Sequence, residues 1–179
     1  MNLPTRKMNV AMCLVAVIAL GGCRTTKPVR LSRYVVNLSI NQALAGPTGM
    51  LPSVEVHLVA TDSVQGRILQ DASMSDYWNP NRGPDDYIRH VMHFGGSHPS
   101  VQVLDDNDPI WRRWEAAGAK YLFVLADLPG VWPDQQDIKD ARRVILPLDP
   151  SRWTTRVIRL SLDPDGVHHV SKMLPAGAQ

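Results

Sequence analysis

Cysteine is nearly absent from this chain. Its 179 residues include two cysteines, Cys13 and Cys23, and both lie within the first 23 positions. Residues 24–179 therefore can form neither a disulfide nor a thiolate metal site, even in a compartment that would permit disulfides. The stability of a domain in this part of the chain must come from apolar burial and hydrogen bonds.

Long apolar segments are also absent. The apolar run from Val10 to Leu20 has about half of the roughly 20 residues that a membrane-spanning helix needs. It follows the basic residues Arg6 and Lys7, and two glycines come directly after it. This order of a charged start, a short apolar run and small residues predicts a secretory signal peptide over residues 1–22.

An excess of charge is missing as well. The chain has 19 basic and 17 acidic residues. Residues 1–22 hold two of the basic residues and none of the acidic ones, so residues 23–179 are formally neutral. Nucleic-acid binding requires a basic face. We therefore predict no nucleic-acid partner.

The segment Leu20-Gly21-Gly22-Cys23 resembles the lipobox of bacterial lipoproteins. The resemblance implies that Cys23 becomes the first mature residue and carries a diacylglyceryl thioether and an acylated amine, with acyl chains such as palmitate. Two or three acyl chains anchor a protein stably in a membrane. Arg24, in place of the aspartate that alters sorting in this family, implies the outer membrane of a Gram-negative cell.

The lipobox also sets the domain boundaries that we expect. Residues 23–31 would form a lipidated tether, and its eight residues after the cysteine span at most about 27 Å. Residues 32–179 would form a single domain, since this length suffices for one core. We expect this domain to lie close to the membrane and to face the periplasm.

Alternating apolar and polar residues predict most of the strands. Tyr34–Asn41 and Ser53–Ala60 alternate clearly, and we expect them to pair as neighbours, with Glu55 and His57 facing outward. Lys120–Ala126 is continuously apolar, which predicts a central strand covered on both faces. Further strands are predicted at Tyr87–Phe94, Ser100–Leu104, Val144–Leu148, Thr155–Leu162 and Val167–Met173. Pro147 places Val144–Leu148 at an edge or an end of its sheet.

One clear helix interrupts these strands. Asp108-Pro109 provides an N-cap carboxylate and a proline at the first helical position, and Gly118 provides the stop. Trp111 and Trp114 mark its buried side. A helical turn is expected at Ser63–Gln70. Short strands with many turns and one helix in a connection predict a mainly β fold, a two-sheet β-sandwich.

Motifs that carry catalysis are absent from the sequence. There is no Gly-x-Ser-x-Gly elbow, no His-Glu-x-x-His motif and no phosphate-binding glycine loop. The sequence does not exclude a pair of catalytic carboxylates from distant parts of the chain, since glycosidase acids are often far apart in sequence. We predict no enzymatic activity and no cofactor.

Two clusters of potential metal ligands have simpler explanations. His90 and His93 are an odd number of residues apart on a predicted strand, so they should face opposite sides, and His98 lies beyond a Gly-Gly turn. Asp105–Asp108 is rich in oxygen ligands, but Pro109 occupies the space that a calcium loop would need. We predict turn and capping roles for these aspartates and no metal site.

Several segments together resemble a known family. They are the strands Val36–Ser39, Val54–Val59 and Tyr121–Ala126, and the segment Ile145–Pro150. With the acylated cysteine and the short tether, they resemble the outer-membrane lipoproteins of type VI secretion systems, the TssJ-type family. Ile145–Pro150 follows the central apolar strand here, whereas the corresponding piece precedes it in the family.

This resemblance implies a fold and a function. Members have a transthyretin-like two-sheet sandwich with an added helix and no enzymatic activity, and they anchor the periplasmic part of a large inner-membrane secretion protein to the outer membrane. The loop between their first two strands contacts that partner, so the matching loop here is Gln42–Pro52. Its expected partner-binding residues are Leu44, Gly46, Pro47, Met50 and Leu51. The alternative is that its apolar residues fold back as a lid on the core.

Two other classes of function remain in view. Trp78, Trp132 and Trp153 lie in or beside predicted loops, and exposed coplanar indoles would favour a carbohydrate-binding lipoprotein. An envelope hydrolase would require a cleft with convergent acids and histidines. Buried indoles and an exposed apolar first loop would favour a protein partner instead.

Overall fold

The computed structural model of the protein describes residues 31–79, 87–130, 132–135 and 140–175. The predicted signal peptide, Cys23, Arg24 and most of the predicted tether lie outside the described residues. Within the described ranges, no helix is long and apolar enough to cross a membrane.

The described strands form two four-stranded sheets that enclose a common core. The strands are β1 (Val35–Ile40), β2 (Val54–Thr61), β3 (Arg89–Phe94), β4 (Val101–Leu104), β5 (Tyr121–Ala126), β6 (Arg143–Pro147), β7 (Val157–Asp163) and β8 (Gly166–His169). The first sheet has the order β4-β1-β7-β8, and the second has the order β3-β2-β5-β6. The predicted two-sheet β-sandwich is thereby confirmed.

The first sheet is built around β1. This strand pairs antiparallel with β4 and parallel with β7. Val36, Leu38 and Ile40 point into the core, as their alternation predicts. The predicted pairing of β1 with β2 is wrong. Both hydrogen-bonding sides of β1 are occupied within the first sheet, and the connection 41–53 carries the chain across to the second sheet.

The second sheet is buried on both faces at its centre. β5 lies between β2 and β6, and Leu122–Ala126 are all buried, which confirms the predicted central strand. β6 is an edge strand, and Pro147 is its last residue, as predicted. The C-terminal hairpin is also present as β7 and β8.

The helix after β4 fills the space between the sheets. α3 (Ile110–Ala116) buries Trp111 and Trp114 completely, with their ring centroids 5.0 Å apart and nearly perpendicular. Both indole N–H groups donate to backbone carbonyls, at 2.9 and 2.8 Å. The Asp108 carboxylate accepts a hydrogen bond from the Ile110 N–H at 2.8 Å, and Pro109 has helical dihedral angles. The predicted helix start is confirmed.

Two further helices cover the outer face of the second sheet. They are α1 (Ser63–Asp71) and α2 (Met74–Tyr77). Leu69, Met74 and Tyr77 form a second apolar core against Val59, Phe123 and Leu125. α1 approaches the sheet closely at Gly66, where an added Cβ would lie 3.0 Å from the Thr61 hydroxyl oxygen.

These helices change the environment of β2. The prediction that Glu55 and His57 both face solvent is wrong for His57, which is 2% exposed beneath α2. His57 Nδ1 lies 2.8 Å from the Tyr77 hydroxyl, and Nε2 lies 2.6 Å from Glu55. Burial lowers the pKa of His57 below its ordinary value, although hydrogen bonding to Glu55 opposes this. His57 is therefore held neutral.

Two buried arginines, Arg142 and Arg143, join the helices to the start of β6 and the segment before it. Arg142 donates two hydrogen bonds to Asp140, which is 1% exposed, and one to Asp134 at 2.5 Å. Asp134 in turn accepts from Ser75 of α2. Arg143 is 2% exposed and donates to the carbonyls of Leu69 and Ala72. It therefore caps the C-terminus of α1, where a cation is favoured.

Replacing Arg142 tests the buried ion pair. We expect Arg142→Ala to lower the free energy of unfolding by about 3–5 kcal/mol, because Asp140 would remain as a buried, unpaired carboxylate. Urea denaturation followed by circular dichroism measures this change. The double variant Asp140→Ala/Arg142→Ala should be more stable than Arg142→Ala alone. A double variant that is less stable than the single one would contradict this account.

The neutrality of His57 predicts a pH dependence of stability. Its folded pKa lies below its unfolded value of about 6.5, so the unfolded state takes up a proton first as the pH falls. We expect the free energy of unfolding to decline as the pH is lowered from about 7.5 to about 5.5. Urea denaturation at several pH values should show a shallower decline in His57→Gln.

His169→Gln is the matched control for this measurement, since His169 is exposed on β8. Its stability should follow the wild-type pH profile. Burial also lowers the pKa of His90, so part of the slope should persist in His57→Gln. Identical slopes for wild type and His57→Gln would refute the assignment. Glu55, Arg89 and His93 are the charged or titratable neighbours whose fields act on His57.

Candidate docking surface

The two ends of β1 define two ends of the domain. The described chain begins at Leu31, which lines a cavity of about 670 Å³ together with parts of the segments 115–121 and 147–152. We call this the tether end. β1 then runs its six residues, about 20 Å, to the opposite end, where the connection 41–53 begins. We call that the loop end.

The β1–β2 loop (Gln42–Pro52) is anchored where it leaves β1. Asn41 caps a 3-10 turn at Gln42–Leu44 by accepting a hydrogen bond from the Ala43 N–H at 2.9 Å. The Asn41 side-chain amide also donates to Asp163 at 2.6 Å. These bonds join the start of the loop to the β7–β8 turn.

The tip of the loop is a closed turn. The Gly49 N–H donates to the Gly46 carbonyl at 2.9 Å, and the Gly46 N–H donates to the Met50 carbonyl at 3.0 Å. Pro47 occupies the position that proline favours in such turns, and Gly49 has a φ of 75°. The tip therefore has a defined backbone conformation that presents Met50.

The five predicted partner-binding residues divide into two groups. Met50 is 70% exposed, and Gly46 and Pro47 are exposed beside it. Leu44 and Leu51 are partly buried and pack against the main core. The loop thus combines the two expectations, since its two leucines hold it on the sandwich and its tip faces solvent.

The far end of the loop is held by a close backbone approach. Gly95, which follows β3, has a φ of 86°, and an added Cβ there would lie 2.1 Å from the Pro52 carbonyl oxygen. Any side chain at position 95 would therefore displace the loop. In the sequence, the pair Gly95-Gly96 predicts a turn but not the close approach of Gly95 to Pro52.

The charges around the loop end are carboxylates. Asp163 and Asp165 flank the β7–β8 turn, and Asp127 follows β5. A hydrogen bond from His168 at 3.0 Å lowers the pKa of Asp165. Hydrogen bonding to Arg142 likewise lowers the pKa of Asp134. The lowered pKa values keep Asp165 and Asp134 anionic at neutral pH.

The histidines do not come together as a metal site. His90 lies on the side of β3 that carries the buried Met92, whereas His93 is exposed, so the predicted opposite orientations are confirmed. His93 Nδ1 lies 3.7 Å from a Glu55 oxygen, and its ring centroid is 5.8 Å from that of His98. Among the described residues, no group of three or more His, Cys, Asp or Glu could hold a metal ion.

The tryptophans do not form a flat exposed platform. Trp111, Trp114 and Trp153 are at most 7% exposed. Trp78 is half-buried against the rings of His57 and Tyr77, and Trp132 is half-buried against the main core. A sugar-stacking surface needs solvent-facing rings, so this arrangement favours a protein partner over a carbohydrate.

Neither of two cavities in the described part of the chain combines acids and histidines with a hydroxyl or thiol nucleophile. At the tether end, the Glu115 carboxylate pairs with Arg33 at 3.2 Å, Asp149 caps a 3-10 turn, and no histidine lines the cavity. A shallower depression of about 430 Å³ contains Asp165 and His168, but no serine, threonine or cysteine lines it. Asp140, which also lines this depression, forms an ion pair with Arg142.

Comparisons with known proteins concern the fold. The chain matches no protein-family model and no curated protein sequence. It is similar to a chain in the solved structure of the C-terminal domain of the type VI secretion protein TssM from EAEC, with 15% identity, a TM-score of 0.50 and coverage of 76% of this chain and 99% of that one.

Two further solved structures are similar. One is Lip from Serratia marcescens, a membrane-bound component of the type VI secretion system, with 13% identity, a TM-score of 0.49 and coverage of 78% and 98%. The other is the type VI lipoprotein TssJ1 from Pseudomonas aeruginosa, with 14% identity, a TM-score of 0.47 and coverage of 80% and 98%. At such identities the likeness is one of fold alone.

Proposed function

We propose that this protein is a lipid-anchored, non-enzymatic component of the bacterial envelope that docks a periplasmic protein partner through its β1–β2 loop. The partner is the periplasmic part of an inner-membrane secretion protein, as in the TssJ-type lipoproteins of type VI secretion systems. Cys23 carries the acyl chains, and the outer membrane holds them. The domain faces the periplasm.

The observation that carries this proposal is the position of the loop. The predicted tether leads to Leu31 at the tether end, and the β1–β2 loop lies at the opposite end of β1. An anchor at one end would present the other end away from the membrane. The loop end is therefore the part of the domain best placed to meet a protein that rises from the inner membrane.

The construction of the loop supports the same role. An exposed methionine on this turn offers apolar contact area, and the preformed backbone of the turn lowers the ordering cost of binding. The fold is shared with a chain in the TssM structure, which supports a secretion component over an unrelated lipoprotein. The half-buried or buried indoles weigh against the carbohydrate alternative.

The lipid anchor has a direct test. Cys23→Ala should move the protein from the membrane fraction to the soluble periplasmic fraction and abolish its labelling by radioactive palmitate, because the thioether cannot form. Cys13→Ala is the matched control and should change neither result, since Cys13 lies in the predicted signal peptide. Unchanged membrane fractionation of Cys23→Ala would refute the anchor.

The docking role of the loop can be tested at Met50. We expect Met50→Ser to weaken binding to the periplasmic domain of the inner-membrane secretion protein from the same organism at least tenfold, about 1.4 kcal/mol. Its free energy of unfolding should stay within about 0.5 kcal/mol of wild type, because the side chain is exposed. Biolayer interferometry and urea denaturation measure the two quantities.

Two variants control this experiment. Val64→Ser removes an equally exposed apolar side chain, 70%, from α1 and should leave binding intact. Leu44→Ser should lower the free energy of unfolding by about 1–2 kcal/mol, because Leu44 packs on the core. If wild type binds and Met50→Ser binds equally well, the loop tip is not the docking surface.

A further inference from the structure

We propose that the partner surface recognised by the loop end is basic, with lysine and arginine side chains around an apolar recess that receives Met50. This inference rests on the proposed docking function and specifies the chemistry of the partner. It comes from the distribution of charge over the segments that meet at the loop end.

Four connections converge at this end of the sandwich. The β1–β2 loop contacts the β7–β8 turn through Asn41 and Asp163, and it contacts the segment after β3 through Pro52 and Gly95. The segment after β5 joins them, because the Asp127 N–H donates to the Glu55 carbonyl at 2.9 Å. The loop end is therefore one continuous surface made of segments that are distant in sequence.

Most of the described stretches of these connections have no basic side chain. The described residues 41–53, 95–100, 127–130, 132–135 and 163–166 include no lysine and no arginine. The same segments include the carboxylates Asp127, Asp134, Asp163 and Asp165.

The arginines nearest to this surface do not offset its charge. Arg142 and Arg143 lie at the start of β6 but are 8% and 2% exposed. Arg142 forms ion pairs with Asp140 and Asp134. Arg143 donates a hydrogen bond to a backbone carbonyl of α1. Solvent at the loop end therefore meets the exposed carboxylates and not the guanidinium groups.

Asp127 and Asp165 are exposed carboxylates of this surface, and Asp165 accepts a hydrogen bond from His168 at 3.0 Å. Asp127 is exposed, and the Asp165 side chain is 79% exposed. The Asp163 carboxylate accepts a hydrogen bond from the Asn41 side-chain amide. Asp163 and Asp165 thus hold separate partners within the domain. A partner whose lysine or arginine side chains are spaced along its surface could pair with these carboxylates.

The tether end differs in the signs of its charges. Lys120 and Arg156 are exposed there, together with Asp149. Exposed residues of both signs therefore occur at the tether end, whereas Arg142, the arginine in the described loop-end connections, is buried. Since residues 23–179 are formally neutral, the domain separates charge between regions and has no overall excess. Such a separation orients an approaching charged partner before contact.

Met50 and the carboxylates around it would contribute to binding in different ways. Met50 would lose its contact with water on binding, and the burial of this apolar area mainly sets the dissociation rate. Rim carboxylates act at longer range and mainly set the association rate and its salt dependence. A basic partner surface would therefore show fast, salt-sensitive association.

The test measures association kinetics with the periplasmic domain of the inner-membrane secretion protein from the same organism. For wild type, we expect the association rate constant to fall as the salt concentration rises from about 20 to about 300 mM, because the screening length shortens. Asp127→Asn/Asp165→Asn should associate about fivefold more slowly at low salt and show a flatter salt dependence. Its dissociation rate and melting temperature should change little.

The matched control adds the same charge at the other end. Ala116→Lys/Thr154→Lys places two positive charges at exposed positions away from the loop end. We expect it to keep the wild-type association rate and salt dependence. This comparison separates a local effect of the carboxylates from an effect of net charge.

The outcomes distinguish this inference from the proposed function. If wild type binds through Met50 but associates independently of salt and of Asp127→Asn/Asp165→Asn, the basic partner surface is refuted and the docking function stands. Equal slowing by both double variants would also refute it, since net charge would then be the cause. If wild type does not bind the domain at all, both proposals fail.

Discussion

The burial of β2 and β5 on both faces is the constraint on which the rest of this domain depends. Val56 and Leu58 face the main core, whereas Val59 and Phe123 face the core beneath α1 and α2. A sheet covered on both faces leaves its centre no free surface for a ligand. Polar groups trapped there need internal partners. His57 illustrates this need, because Tyr77 and Glu55 satisfy its ring nitrogens.

This constraint leaves the ends of the sandwich and the outer face of the first sheet, where Val101 and Val103 are exposed, as the available surfaces. The ends carry the connections. A connection at an end would ordinarily be mobile and would lose conformational entropy on binding. Here the β1–β2 loop is held at its start by Asn41, at its tip by an internal turn and at its finish by the contact of Pro52 with Gly95. The rigid body that the cores create thus extends into the loop that presents Met50.

The sequence predicts the elements of this fold better than their arrangement. Alternation at β1 and the capping pair at α3 act over a few residues, so the pattern alone reveals them. The pairing of β1 with β7 depends on residues more than a hundred positions apart, and no local pattern encodes it. The burial of His57 was missed for the same reason, because the covering Tyr77 lies on a four-residue helix without a clear period.

The candidate site shows the same division. The apolar residues of the β1–β2 loop stand out in the sequence, and burial then separates Met50 from the two leucines. The acidic residues at the loop end are not visible in the totals, since Asp127 and Asp165 belong to different connections and residues 23–179 are formally neutral.

A fold shared with a chain in the TssM structure at 15% identity is maintained by the burial pattern, which many sequences satisfy. Such a fold cannot specify a partner by itself. In the docking function that we propose, specificity would lie in what the pattern leaves free to vary, the tip of the loop and the charges beside it.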